Sequence, residues 1–170
     1  MLIEGLKRDL SSIKTTWQVA DMGCGEAKIM AHFENNKRIK ISSFDLAAAR
    51  PGVIVADMTK VPLPGKSVDV VIFCLSLMNT NFLDALREAR RILKEDGGIL
   101  RIAEVESRFE SGPKSFVSAV ESLGFKQTSM DMSHRVFWLF EFKTAPVVNQ
   151  GSESELNDKP ILKPCLYKKR

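Results

Sequence analysis

Three aspartates and two glycines in the first sixty residues have the types and spacing to hold a ligand. Gly23 and Gly25 follow an apolar run (Trp17, Val19, Ala20) in "WQVADMGCGEAKIM", and a helical pattern comes after them. A glycine turn between a strand and a helix lets bare backbone approach a ligand closely. It also sets the helix N-terminus beside that ligand. Asp45 stands 20 residues after Gly25, at the end of the next apolar run, where an acid suits a ribose diol. The third glycine of the dinucleotide fingerprint is Ala27, a replacement the pattern tolerates. Asp21 stands before the glycines, where a carboxylate can meet a ligand's amino group. Asp57 ends a third apolar run, where it can accept from an adenine amino group. The plainer role of Asp21 and Asp57 is capping of loop amides.

These residues need strands that end together. Helical spacing of Leu2, Ile3, Leu6, Leu10 and Ile13 predicts an amphipathic helix over 2–14. Strands are expected at "WQVADMG", "IKISSFDL", "VIVADM", "VDVVIFCLS" and "ILRIAEV", and helices at 26–35, "NFLDALREARRILKEDGG" and "KSFVSAVESLGF". The nearly all-apolar "VDVVIFCLS" is the mark of a strand covered on both faces. Strands alternating with helices predict an α/β, mostly parallel sheet. "KQTSMDMS" and "RVFWLFEF" read as a closing antiparallel hairpin. Two connections are short, with six residues between Leu46 and Val53 and nine between Met58 and Val68. A parallel crossover usually takes about a dozen or more, commonly a helix. The usual helices around the third strand are therefore expected to be missing, leaving one flank thinly covered.

Composition bounds the rest. The 170 residues suit one domain, and 44% hydrophobic with 27% charged residues is an ordinary globular balance. No apolar run reaches the roughly 18 residues that span a bilayer, and "MLIEGLKRDL" does not read as a secretory signal. Three cysteines without a C-x-x-C pair suggest neither a zinc site nor a disulfide framework. The net charge of +4 is mostly a tail property, since residues from Lys143 onward carry six basic and three acidic side chains. From Thr144 the pattern turns polar and aperiodic, which reads as a loop, before "ILKPCLYKKR" regains apolar residues and is expected to dock back in extended form. The basic stripe Arg87, Arg90, Arg91 and Lys94 reads first as a solvated helix face paired with Asp84 and Glu88.

A nicotinamide dinucleotide and S-adenosylmethionine both present an adenosine to such a sheet. Asp21, Asp57 and the closing hairpin favour the latter. The strings "VADMGCGEA", "SFDLAA", "VIVADMTKVPLPGKSVDVVIFCLSLMNTN", "ARRILKEDGGILRIAEVESRF" and "LGFKQ...FWLFEF" resemble the methyltransferase domain of the ribosomal RNA-processing protein 8 (nucleomethylin) family, from about Val19 to the end. The resemblance implies a class I, Rossmann-like methyltransferase that uses S-adenosylmethionine. It implies N1-methylation of an adenosine in large-subunit ribosomal RNA, in the nucleus and nucleolus. Chromatin proteins that silence ribosomal DNA are implied partners, with no membrane and no metal. It carries Gly23, Asp45, Asp57, Met58 and Cys74 over as cofactor contacts, beside Gly25 of the same turn. Taken alone, Met58 and Cys74 read as core.

Family members carry further helices before the first strand that help close the cofactor site. Residues 1–143 are thus expected to be a methyltransferase domain with those helices truncated, and 144–170 a loop and extended basic segment. No catalytic residue is assigned, because attack by a ring nitrogen needs alignment more than a base. Ser76 and Asn79 can bond a target base or cap their loop. His32 and His134 read as structural or exposed. Two other classes remain as alternatives. One is a non-catalytic scaffold in a chromatin or ribosome-assembly complex, and the other is a nicotinamide-linked oxidoreductase.

Overall fold

The computed structural model describes residues 2–78, 81–109, 112–146 and 161–163. The strands are β1 (Trp17–Met22), β2 (Ile39–Asp45), β3 (Val53–Val55), β4 (Val70–Cys74), β5 (Ile99–Val105), β6 (Phe125–Asp131) and β7 (Phe137–Thr144). The helices are α1 (Leu2–Ser12), α2 (Lys28–Phe33), α3 (Phe82–Ile92) and α4 (Lys114–Ser122), with a 3₁₀ turn at Glu106–Arg108. One sheet takes the order β3-β2-β1-β4-β5-β7-β6. β7 runs antiparallel to both neighbours, and the other pairs are parallel. The expected α/β sheet with a C-terminal antiparallel hairpin is what forms.

Alternation along the strands divides the core. Ala20, Met22, Phe44, Val71, Phe73, Leu100 and Ile102 pack with α3 and α4 on one face. Val19, Ile39, Val70 and Ile72 pack with Leu6 and Leu10 of α1 and Ile29 and Phe33 of α2 on the other. Burying a large apolar side chain contributes roughly 1.5–3 kcal/mol, so fully buried Leu86 and Ile92 anchor α3. The N-terminal helix is also tied electrostatically. Arg101, buried in β5, donates from Nε and Nη2 to Glu141 Oε2 across the β5–β7 pair (3.0 and 2.8 Å), and Nη2 reaches Asp9 of α1.

No helix lies between β2 and β4, and the register explains how β2 and β3 can be joined so briefly. Val53 pairs with Ser43, so β3 lies only beside the last three residues of β2. Residues 46–52 therefore return over a short distance. The flank is open, as the short connections predict, with Leu46 68% and Val55 63% exposed. On the opposite face the chain after β3 is held against α3. Glu88 Oε1 accepts Val61 N–H at 2.8 Å, and Arg91 Nη2 donates to Leu63 O at 3.0 Å.

All four helices are shorter than their patterns, and for α2 and α3 the backbone shows why. α2 starts at Lys28, because Ala27 at its N-cap is left-handed (φ 51°). α3 ends at Ile92, because Leu93 is extended and bridges Val68, with Lys94 N–H donating to Val68 O.

Candidate functional site

The strand order reverses at β1, whose neighbours are β2 on one side and β4 on the other. In open α/β sheets ligands sit outside the carboxyl ends of the strands at such a point. A cavity of about 460 Å³ opens there. Its lining includes Gly23, Gly25, Asp45, Asp57, Met58 and Cys74, so the six expected cofactor contacts border one space, whereas Asp21, the third aspartate singled out from the sequence, does not line it.

The glycine turn forms one wall. Gly23 N–H and Cys24 N–H both donate to Phe44 O (2.8 and 2.9 Å), and Gly25 N–H donates to Asp45 Oδ2 at 2.8 Å. Asp45 thus ties the turn to the end of β2, using one of its two carboxylate oxygens in this bond. Gly23 has φ +70°, and a Cβ there would come within 2.5 Å of Ser76 Cβ and 3.4 Å of Met58 Cε. Conformation and close approach both demand glycine at this point, where three loops converge. Gly25 has φ +53°, but a Cβ at this position would meet open space, so only its conformation asks for glycine.

The acids differ in environment. Asp21, 2% exposed, is pushed up to about 7 by burial and then by the nearby Asp45 charge. Asp57 is exposed, and its Oδ1 accepts Thr59 N–H and the Thr59 hydroxyl (both 2.8 Å), which hold its carboxyl below the usual range. Asp57 therefore caps a loop amide and also faces the cavity. Burial, followed by Asp21 and Asp45, pushes the Cys24 thiol up to about 11. Burial, followed by Asp21 and Glu104, pushes Cys74 up as well. Both stay protonated at neutral pH, so they line the site rather than act as nucleophiles.

The loop after β4 is the opposite wall. Ser76 Oγ is buried without a hydrogen-bond partner and belongs to the cavity lining. Asn79 lies outside the described residues. Leu46, Leu75, Leu77, Met78 and Phe82 also line the space. Nothing in the sequence marks these as site residues, because their types are those of core. Only the position of "LSLM" directly after a buried strand could have pointed to them.

Other candidates lie elsewhere. His32 is exposed on α2 against Phe33, and exposed His134 stacks on Phe137 at the tip of the β6–β7 hairpin. Of the expected basic stripe, Arg87, Arg90 and Arg91 lie on α3 and Lys94 lies beyond its end, and all four are engaged: Arg87 with Asp84, Arg91 with Glu88, Lys94 with Asp69, and Arg90 Nε with Gly124 O. The final "YKKR" lies outside the described residues. Among the described residues there is no cluster of three or more His, Cys, Asp or Glu side chains placed for a metal, and no helix long and apolar enough to cross a membrane.

The backbone cradle at Gly23, with Asp45 and Asp57 in a lining that holds no lysine or arginine among the described residues, suits a ligand with hydroxyl, amino and ammonium groups. A family described as "Hypothetical methyltransferase" matches residues 2–170. The 25S rRNA (adenine(645)-N(1))-methyltransferase of Schizosaccharomyces pombe is 44% identical over 153 residues, covering 89% of this chain and 46% of that protein. Ribosomal RNA-processing protein 8 of Rattus norvegicus is 43% identical over 168 residues, covering 99% of this chain and 35% of that protein. The chain thus spans less than half the length of either relative. Among solved structures, a SAM dependent methyltransferase from Aquifex aeolicus superposes with a TM-score of 0.65 at 16% identity, covering 84% of this chain and 89% of that one. The 1,6-didemethyltoxoflavin-N1-methyltransferase of Burkholderia thailandensis, solved with S-adenosylhomocysteine bound, gives 0.69 at 13% identity, covering 84% and 76%. At these identities the likeness is one of fold.

Proposed function

Because the chain belongs to the methyltransferase family that its whole length from residue 2 matches, we propose that it binds S-adenosylmethionine at the β1–β4 switch and methylates N1 of an adenosine in large-subunit ribosomal RNA. The observation that carries this reading is the convergence of Gly23, Asp45, Asp57, Met58 and Cys74 on one cavity at that switch. The names of the two relatives supply the substrate. When bound, the cofactor supplies a methyl group on a positively charged sulfur.

The chain's own residues then have separable tasks. Asp45 accepts from the ribose hydroxyls while it braces the glycine turn. Asp57 accepts from the cofactor's adenine amino group, and Met58 packs beside that ring. Asp21, buried at the end of β1 and near enough to feel the Asp45 charge, is assigned to the ammonium end although it does not line the cavity. Ser76 lines the cavity, and its buried Oγ, which has no protein partner, reaches the edge of the target base by turning out of its place beside Gly23. N1 of that base attacks with a lone pair already in place, so the site must align it rather than deprotonate it. Alignment of this kind contributes roughly 7–11 kcal/mol to lowering a barrier.

This reading puts the protein in the nucleus and nucleolus. The sequence resemblance extends it to chromatin proteins that silence ribosomal DNA. The test is methyl transfer to a large-subunit ribosomal RNA fragment that holds the target adenosine, with N1-methyladenosine read by mass spectrometry. Asp45→Ala and Asp57→Ala should each weaken S-adenosylhomocysteine binding by roughly tenfold to a hundredfold, as expected for losing a charge-assisted hydrogen bond of about 1.5–3 kcal/mol. Normal binding by both variants would remove the adenosine assignment. Tight binding without transfer would make the protein a scaffold rather than an enzyme.

A further inference from the structure

Leu75 opens the loop that forms the target side of the cavity, and its φ is +56°. A branched L residue avoids this region and holds it only where the surroundings over-determine the backbone. Three bonds do so here. Leu75 N–H donates to Ala103 O at 2.9 Å, and Leu77 N–H donates to Glu104 Oε1 at 3.0 Å. Arg108 Nη2 donates to Leu77 O at 2.5 Å. The last two bonds come from one buried ion pair, in which Arg108 Nη1 meets Glu104 Oε2 at 2.6 Å. Glu104 is 1% exposed and Arg108 5%.

The same arginine also grips a distant segment. Arg108 Nε donates to Lys163 O at 2.7 Å, and Lys163 N–H returns a bond to Arg108 O at 3.1 Å. Beside them Leu162 is 5% exposed and packs into the core of the α3–α4 face. Apart from the neighbouring Val105 N–H, which Glu104 Oε2 accepts at 3.3 Å, the pair therefore directs its hydrogen bonds to two pieces of backbone, the loop after β4 and residues 161–163. None of these bonds involves Asp45 or Asp57, which stand on the other side of the cavity.

We propose that Glu104 and Arg108 are positioning residues for methyl transfer, fixing Leu75–Met78 and with it Ser76 against the target base, and that docked residues 161–163 are the third member of this clamp. The proposal rests on the methyltransferase reading above for its consequence, but its mechanical part does not. A clamp of this form acts after the cofactor is bound. Loosening it disturbs the placement of the base and leaves the adenosine contacts intact. The docked C-terminal segment thereby becomes part of the reaction site, although it lines none of the cavity.

The test uses the full chain with Leu162→Asp, which undocks the segment while leaving the loop's own residues unaltered, and Arg108→Lys, which keeps the charge but loses the fork. Leu162→Met serves as the conservative control. Three quantities are read: amide exchange in the peptide spanning 73–78, the Kd for S-adenosylhomocysteine, and the single-turnover rate on the ribosomal RNA fragment. Leu162→Asp should speed exchange in that peptide at least tenfold, change the Kd by no more than about threefold, and slow transfer at least thirtyfold. Leu162→Met should restore all three. Unchanged exchange in 73–78 would overturn the clamp, and so would an equal fall in cofactor affinity and rate, which marks a general loss of structure. If the unaltered chain binds cofactor but transfers nothing, the methyltransferase reading fails, and with it the positioning role. The exchange result would then still decide whether the mechanical link exists.

Discussion

Asp21 lies at the end of β1, 2% exposed, and titrates near 7 because burial and then Asp45 disfavour its charge. The folded value lies above the unfolded one of 3.8, so folding stability falls as pH rises from about 4 to about 7. With each tenfold change in proton affinity worth about 1.36 kcal/mol, the full cost is roughly 4 kcal/mol. A ligand ammonium beside Asp21 reverses that preference. Cofactor binding below pH 7 should therefore release a proton, and affinity should rise between about pH 5.5 and 7.5. Calorimetry of S-adenosylhomocysteine in buffers of different ionisation enthalpy reads both effects. Asp21→Asn should bind more weakly and lose the pH slope, and a flat profile for the unaltered chain would separate Asp21 from the ligand's amine. At this scale the glycine turn and the aspartates can be read from spacing, since each follows an apolar run. Glu104 and Arg108 cannot. Their meaning lies in backbone partners 27 and 55 residues away, which no local pattern encodes.

The strands follow their apolar runs, except that β3 stops at Val55 and leaves Asp57 of the expected run beyond its end, and the helices that depart do so where backbone conformation or pairing overrides propensity. "REARRILKEDGG" continues the helical pattern, yet Leu93 leaves the helix to bridge Val68. Ala27 sits in a left-handed cap and delays α2. A helix former can be recognised in sequence, but the strand that captures its last turn cannot. The helix-free stretch between β3 and β4 depends instead on Glu88 of α3. Its carboxylate, 6% exposed, accepts Val61 N–H and pairs with Arg91 at 2.6 Å, which itself donates to Leu63 O. Burial works to raise the Glu88 carboxyl, but Arg91 and the Val61 amide outweigh it and hold it below its ordinary range. Glu88→Ala leaves Val61 N–H and Arg91 without their acceptor and should cost roughly 2–3 kcal/mol. It should also loosen the stretch that carries Met58 and Thr59 into the cavity. Denaturant unfolding and cofactor binding should both report the change. Loss of stability with unaltered binding would show that this stretch keeps its place without Glu88.

Across the whole molecule, the sheet brings the ends of β1, β2 and β4 together at one edge, and the cavity there is built from separate pieces of chain. The open β3 flank, with Leu46 and Val55 exposed, is readable from loop lengths alone, because too few residues remain for a helix. For Leu162 the sequence predicts only an extended return, and the grip of its segment on Arg108 emerges from the fold. A site shared by this many segments couples ligand binding to global stability, since a ligand that binds only the folded chain stabilises it by mass action. At roughly a hundredfold excess over Kd the gain is about 2.7 kcal/mol. In a protein of this size that gain corresponds to a rise in Tm of several degrees. S-adenosylhomocysteine should produce such a rise, and NAD at the same concentration should not. Both present an adenosine that Asp45 and Asp57 can meet. Only the former places an amino acid end, with its ammonium, towards Asp21. NAD instead brings a pyrophosphate whose negative charge meets a lining that holds Asp45 and Asp57 and, among the described residues, no lysine or arginine. Equal shifts from the two ligands would mean that adenosine alone is recognised, and the assignment of the site to S-adenosylmethionine would fall with that result.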